Sequence, residues 1–104
     1  MKSIEYLVPL DSTSRYRHYH SVEKGSVLEF SVQCELFLND KWYPVVRYDT
    51  AHGFAHRDLM DLNGVKSKTP LFISDYNEAL SFAESDIKAN WKIYKERFLR
   101  GYDE

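Results

Sequence analysis

The chain has 104 residues, of which 43% are hydrophobic and 15% aromatic, and its formal net charge is −2. This composition excludes a disordered chain and allows one domain with a single modest core, while the near-neutral charge disfavours a protein that coats duplex DNA by neutralising phosphates. The single cysteine excludes an intrachain disulfide and a zinc site built from cysteines.

No segment of the sequence matches a targeting signal or a membrane span. The N-terminal apolar run is short and is interrupted by Glu5 and Pro9, unlike the apolar region of a signal peptide. No stretch approaches the ~20 apolar residues that cross a bilayer as a helix. We therefore expect a soluble, cytoplasmic protein with no membrane partner.

Alternating apolar and polar residues predict three strands in the first part of the chain. Residues 4–8 form a short strand, and Pro9 either ends it or marks a sheet edge. Residues 15–22 and 26–38 form a hairpin around the loop Glu23-Lys24-Gly25. The core face of the longest strand is predicted to hold Leu28, Phe30, Val32, Cys34, Leu36 and Leu38.

A fourth strand, residues 42–49, follows the turn at residues 39–41. We expect a three-residue turn, because a two-residue turn would place Lys41 and Arg47 on the core face. The predicted register pairs Leu38 with Trp42, Leu36 with Pro44, Cys34 with Val46, and Val32 with Tyr48. In this register Arg47 and Asp49 lie on the polar face of the sheet.

Two more strands and a helix complete the predicted fold. Residues 54–60 and 65–73 form a hairpin around Asn63-Gly64, and Pro70 places the second strand at an edge. Residues 75–100 form a helix with Asp75 or Ser74 as its N-cap and Gly101 as its stop. Its apolar stripe is Leu80, Ala83, Ile87, Trp91, Tyr94 and Phe98. The fold class is α+β, an antiparallel sheet of four to six strands with this helix packed on one face.

The candidate site lies in residues 41–64, where charged and aromatic residues are densest. The leading hypothesis is metal-independent acid–base chemistry on RNA, as in a compact ribonuclease. His52 and His56 would be catalytic, because imidazole titrates near neutral pH, and Asp49 and Asp58 would orient them. Phosphate and base contacts would come from Arg47, Arg57, Arg15, Arg17 and Tyr48. The partner would be RNA or a nucleotide, and no cofactor is expected.

Three alternatives stay open. Arg47 can instead form purely structural cross-strand ion pairs with Asp49, Glu35 or Asp58. The protein can be a non-catalytic interaction module, either a homodimer that pairs through its proline-containing edge strands or one that binds an antitoxin-type partner. Finally, residues i and i+2 of a strand share a face, so a divalent metal has the candidate ligands His18, His20, His56 and Asp58.

Three segments of the chain resemble a family of small prokaryotic proteins without an assigned function. They are V-Q-C-E-L at 32–36, W-Y-P-V-V-R-Y-D-T-A-H-G-F-A-H-R-D at 42–58, and D-I-K-A-N-W-K-I-Y-K-E-R-F at 86–98. The shared features are the R-Y-D-x-A-H-G-x-x-H-x-D block, a turn glycine and lysine at Gly64 and Lys66, and a D-x-K-x-N-W helix. The resemblance implies a family but no activity. The arrangement R-Y-D with histidines just downstream is also similar to small toxins of toxin–antitoxin pairs, and this resemblance implies a toxin-like ribonuclease.

Overall fold

The computed structural model describes residues Met1–Tyr102. Over this range the chain forms six strands followed by one helix. The strands are β1 (Lys2–Asp11), β2 (Ser14–Glu23), β3 (Ser26–Leu38), β4 (Lys41–Asp49), β5 (His56–Asp61) and β6 (Gly64–Pro70), and the helix is α1 (Tyr76–Tyr102). Among these residues, no helix combines the length and the apolarity that a membrane span requires.

The strands form one antiparallel sheet in which each strand pairs with the next along the chain, in the order β1-β2-β3-β4-β5-β6. Short turns suffice for this order, since antiparallel neighbours need no crossover. The helix packs on one face, mainly against β3, with further contacts to β4 and β5. The predicted α+β fold with a C-terminal helix on one face of the sheet is therefore confirmed.

The core lies between α1 and this face of the sheet. Its buried apolar residues include Phe30, Val32, Cys34, Leu36, Val46, Tyr48, Ala83, Ile87, Tyr94 and Phe98. Of the predicted helical stripe, Trp91 is only partly buried, and Ala79 is buried in addition. The apolar residues at every second position of β3 and those at helical spacing in α1 thus pack into one apolar layer.

The turn between β3 and β4 differs from the prediction. Leu38 pairs with Lys41 across a two-residue turn, in which Asn39 and Asp40 both have positive φ, 49° and 64°. This conformation matches the right-handed twist of a hairpin. The predicted pairs of Leu38 with Trp42 and of Leu36 with Pro44 are therefore wrong.

A β-bulge restores the predicted register farther along the same strands. Cys34 pairs with Val46 but Glu35 pairs with Pro44, which leaves Val45 without a partner on β3. Beyond the bulge, Cys34–Val46 and Val32–Tyr48 pair as predicted. On the turn side of the bulge, Trp42 leaves the predicted core face, and the guanidinium carbon of Arg15 lies 3.8 Å from the centre of its ring.

The loop between β2 and β3 is also one residue shorter than predicted. Glu23 pairs with Ser26 around Lys24 and Gly25, and a bulge between Ser21 and Val22 leaves Leu28 out of the pairing. Leu28 is consequently exposed and does not join the core as expected. An apolar residue at a bulge breaks the alternation that the sequence pattern assumes.

Several element ends also differ from the prediction. β1 extends beyond Pro9 to Asp11 and β6 ends at Pro70, short of the predicted Ile73. Both prolines lie on edge strands, which confirms the edge alternative for Pro9 and the predicted edge position of Pro70. The helix passes Gly101, which is therefore not its stop. Asp75 is the N-cap, because its Oδ1 accepts a hydrogen bond from the backbone N–H of Asn77 at 2.8 Å.

Truncating Ile87 tests how strongly the fold depends on the helix–sheet layer. Ile87 is 0% exposed, so Ile87→Ala removes apolar contacts and leaves a cavity, and we expect the free energy of unfolding to fall by about 2–5 kcal/mol. The matched control is Ile93→Ala, because Ile93 on the same helix is 62% exposed and its loss should change stability by less than about 0.5 kcal/mol. Urea unfolding followed by circular dichroism measures both, and equal losses would contradict this packing.

Candidate functional site

The face of the sheet away from α1, here called the open face, carries polar side chains in cross-strand rows. Strand alternation defines it, since Tyr48 contacts α1 and its neighbours Arg47 and Asp49 point to the other side. The central row runs from β2 to β6 and consists of Arg17, Gln33, Arg47, Asp58 and Lys68. The next row consists of Tyr19, Ser31, Asp49, His56 and Pro70.

Five side chains of these rows form an ion-pair network, here called the Arg47 cluster: Arg47, Asp49, His56, Asp58 and Lys68. The Nε of Arg47 lies 2.9 Å from Oδ2 of Asp49, and its Nη2 donates to Oδ2 of Asp58 at 3.0 Å. Lys68 donates from Nζ to Oδ1 of Asp58, also at 3.0 Å. The carboxylate of Asp58 therefore links β4, β5 and β6.

His56 lies between the two carboxylates of the cluster. Its Nε2 is 2.7 Å from Oδ1 of Asp49, and its Nδ1 is 3.1 Å from Oδ1 of Asp58. Only Nδ1 has the geometry of a hydrogen bond, to Asp58. Among residues 1–102, Nε2 makes no hydrogen bond, and its approach to Asp49 is an ion-pair contact. His56 is only 1% exposed. The ring is thus held in a fixed orientation and does not contact solvent.

The charge of Asp58 is maintained by its partners. Burial raises the pKa of this carboxyl, but hydrogen bonds from Lys68 and Arg47, together with the nearby charge of His56, outweigh burial and hold the pKa below its usual value. A buried carboxylate with these donors stays ionised near neutral pH. It can then anchor both cations in place on the open face.

A second group on the same face surrounds Glu35. Its carboxylate accepts from Arg15 Nε at 2.7 Å, from Arg17 Nε at 3.4 Å, and from Gln33 Nε2 at 2.6 Å. Burial raises the pKa of Glu35, and the donors and the charges of Arg15 and Arg17 overcome this effect and lower it. Two guanidinium groups share one carboxylate here, which leaves positive charge beside the central row.

The loop between β4 and β5 brings three rings together beside the Arg47 cluster. The ring centres of His52 and His56 are 5.6 Å apart, and the centre of Phe54 is 5.3 Å from that of His56. Asp49 shapes this loop, since its Oδ1 accepts from the backbone N–H of Ala51 at 3.1 Å. His52 is exposed, so it is the imidazole of this site that a ligand can contact.

Two of the predicted ligand-binding residues lie on the helix face instead. The Tyr48 hydroxyl donates to Oδ2 of Asp86 at 2.6 Å, and Arg57 Nη1 donates to the Tyr94 hydroxyl at 3.4 Å. The structure therefore brings together Arg47, Asp49, His56 and Asp58, with His52 stacked beside them. Arg15 and Arg17 also lie on the open face, but both are on β2 and pair with Glu35 on β3.

The four candidate metal ligands also separate. His18 and His20 lie on the helix side, where Nε2 of His18 is 2.6 Å from Nδ1 of His20 and Nδ1 of His18 is 3.4 Å from Oε2 of Glu84. Burial lowers the pKa of His18 despite the opposing charge of Glu84. His56 and Asp58 lie on the open face. Within residues 1–102, no group of three or more His, Cys, Asp or Glu side chains is arranged to hold a metal ion.

Lys68 is the cluster residue that the sequence pattern did not indicate. The predicted Asn63-Gly64 turn gives way to the pairing of Asp61 with Gly64, and a bulge between Leu59 and Met60 shifts the register. This shift places Lys68 opposite Asp58. The preference for opposite charges in cross-strand pairs predicts the contact between Lys68 and Asp58 only when the register is known.

The whole chain, residues 1–104, matches the model of a family described as a domain of unknown function, DUF7718. The chain belongs to this family. Membership of an uncharacterised family, which the resemblance implied, is confirmed. Comparison with curated proteins and with solved structures gave no match.

In this DUF7718 chain, Asp58→Asn tests the ion-pair network. The substitution leaves Arg47 and Lys68 without their shared charge partner, so we expect a loss of about 3 kcal/mol in the free energy of unfolding at neutral pH. The folded-state pKa of Asp58 lies below its usual value, so its stabilisation is present above about pH 4 and is lost as the pH falls through the folded-state pKa. The difference between the two proteins should therefore shrink at acid pH.

Chemical denaturation at several pH values measures this difference. Glu96→Gln is the control, because Glu96 is an exposed helical carboxylate and its loss should change stability little at any pH. A constant difference between Asp58→Asn and the wild type down to the acid range would contradict the assigned role of the carboxylate.

Proposed function

We propose that the protein binds a phosphate-bearing ligand, a nucleotide or a segment of single-stranded RNA, on the open face of its sheet. The observation that carries this proposal is the central row, in which Arg17, Arg47 and Lys68 alternate with Gln33 and Asp58. Guanidinium and ammonium groups are the side chains that proteins use to hold phosphate. Successive cations of the row lie two strands apart, a distance of about 10 Å across the sheet.

The arginines keep donors for a ligand after their own pairing. Within residues 1–102, Arg17 pairs through its Nε, and Arg47 pairs through Nε and Nη2. The two side chains are 45% and 31% exposed. Buried carboxylates orient both guanidinium groups and therefore reduce the entropy that a ligand would otherwise cost in ordering them.

The small net charge of the open face favours a ligand with few phosphates. Glu35, Asp49 and Asp58 neutralise much of the charge of the cations, and the chain as a whole carries −2. Binding through many phosphates of a duplex is thus disfavoured. Tyr19, one row from Arg17, and the exposed His52 offer rings on which unpaired bases can stack.

In this proposal, His52 alone carries out the acid–base chemistry that the ribonuclease hypothesis gave to His52 and His56. His56 is buried between Asp49 and Asp58, so its role is to support His52 through the stacked rings and to fix Arg47 through the shared carboxylates. His52 is the exposed imidazole that would take the proton of a ribose 2′-hydroxyl, whose oxygen attacks the adjacent phosphorus. The P–O bond to the 5′-oxygen then breaks, and His52 returns the proton to that oxygen, which leaves a 2′,3′-cyclic phosphate and a 5′-hydroxyl. Arg47 would hold the phosphate during that step.

Arg17→Ala tests binding with little risk to the fold, because the Arg17 side chain is 45% exposed. We expect the affinity for a short single-stranded RNA, measured by fluorescence anisotropy at low salt, to fall about tenfold, the loss typical of one charge-assisted contact. Arg100→Ala, at an exposed position in the last turn of α1, is the control. No binding by the wild type, or equal losses in both variants, would overturn the proposal.

The same RNA, incubated with the protein, reports on cleavage. We expect His52→Ala to abolish the release of fragments while RNA binding persists, because the variant keeps Arg17 and Arg47. Cleavage that survives in His52→Ala contradicts the acid–base role of His52. Binding without cleavage by the wild type restricts the function to recognition.

One observation favours the interaction-module alternative. β6 is an edge strand in which every residue is exposed, and exposed edges can pair with another chain. Light scattering across a range of concentrations tests this function, since an edge-paired homodimer has twice the mass of the chain. A mass that stays that of one chain contradicts homodimer formation.

A further inference from the structure

A cleft of about 470 Å³ lies at the end of the sheet where β5 begins and β6 ends. Its walls come from the loop before β5 and the segment that joins β6 to α1. The lining is mostly apolar and includes Phe54, Ala55, Pro70, Phe72, Ile73 and Tyr76. A volume of this size is typical of sites for small molecules.

The cleft adjoins the Arg47 cluster. Phe54 lines the cleft, and its ring centre is also 5.3 Å from that of His56. Pro70 lines the cleft and pairs with His56 across β5 and β6. A hydrogen bond from Leu71 N–H to the Ala55 carbonyl at 3.0 Å ties the two walls together.

Phe72 lines the cleft but is not part of the core. Its side chain is 91% exposed, although it is large and apolar. Its φ of 59° lies in the left-handed region, which a bulky residue rarely adopts and which costs free energy. Strained backbone that exposes an aromatic ring beside a cleft is a feature of ligand sites.

The nearest cation of the central row lies within the reach of one nucleotide. Lys68 and Pro70 are two residues apart on β6 and share the open face, a separation of about 7 Å. A ribose phosphate spans such a distance. A flat apolar group in the cleft can therefore be joined to an anionic group at Lys68 and Arg47.

We propose that the Phe54–Phe72 cleft receives the base of a nucleoside monophosphate whose phosphate lies against Lys68 and Arg47. This inference rests on the proposed function and specifies its ligand. The apolar rings match the π-face of a base, and the adjacent cations match the phosphate. Neither an uncharged apolar molecule nor a free phosphate would use both parts of this site.

Phe72→Ala tests the inference, because the exposed ring can be removed without opening the core. The affinity for AMP, measured by isothermal titration calorimetry, should fall about tenfold, the loss expected for one stacked base. Phe72→Tyr keeps the ring and should bind AMP like the wild type. Ile93→Ala removes an apolar side chain that is 62% exposed on α1 and should not change AMP binding.

Ribose 5-phosphate is the matched ligand, since it carries the phosphate and sugar without the base. We expect wild-type protein to bind it more weakly than AMP and Phe72→Ala to bind it as well as the wild type does. Equal affinity of the wild type for both ligands, or unchanged AMP affinity in Phe72→Ala, overturns the inference. If the RNA then still binds in an Arg17-dependent way, the proposed function stands, whereas no binding of RNA or AMP overturns both.

Discussion

The register of the strands is the constraint on which the rest of this structure depends. Side chains alternate with a period of two, so a shift of one residue moves every side chain of a strand to the other face. Bulges at Leu28 and Val45, and a third between β5 and β6, each make such a shift. The bulge at Val45 offsets the two-residue turn, so that Val46 and Tyr48 face α1 while Arg47 pairs with Asp58 on the open face. The bulge between β5 and β6 places Lys68 opposite Asp58.

The same register lets buried carboxylates organise the open face. Asp58 and Glu35 each lie at the centre of several donors and have lowered pKa values in spite of their burial. Ion pairs of this kind contribute little net stability relative to apolar packing, but they are costly to break and they fix geometry. We infer that their value to the protein lies in orienting cations that would otherwise be mobile.

On the face of the sheet that α1 covers, polar groups hold the helix in place. The hydroxyls of Tyr6 and Tyr16 donate to Glu84, and that of Tyr48 donates to Asp86, so side chains of the sheet hold charged residues of α1 in place. Burial raises the pKa of Tyr16 to about 12, which keeps its hydroxyl protonated as a donor. Tyr48, a predicted ligand contact, thus holds the helix, whereas Tyr19 lies on the open face. This division leaves the open face as the accessible polar surface.

The sequence by itself determined the α+β fold, the long amphipathic helix that begins near Ser74 or Asp75, and the polar face that carries Arg47 and Asp49, because each of these follows from local periodicity or local capping preferences. It also indicated Arg47, Asp49, His56 and Asp58 as a group, since they lie on two adjacent strands. Only the tertiary structure decided that His56 is buried, that Lys68 joins the cluster, and that Arg57 faces the helix. Those outcomes depend on bulges and on non-local pairing, which change the face of a residue without changing the pattern around it.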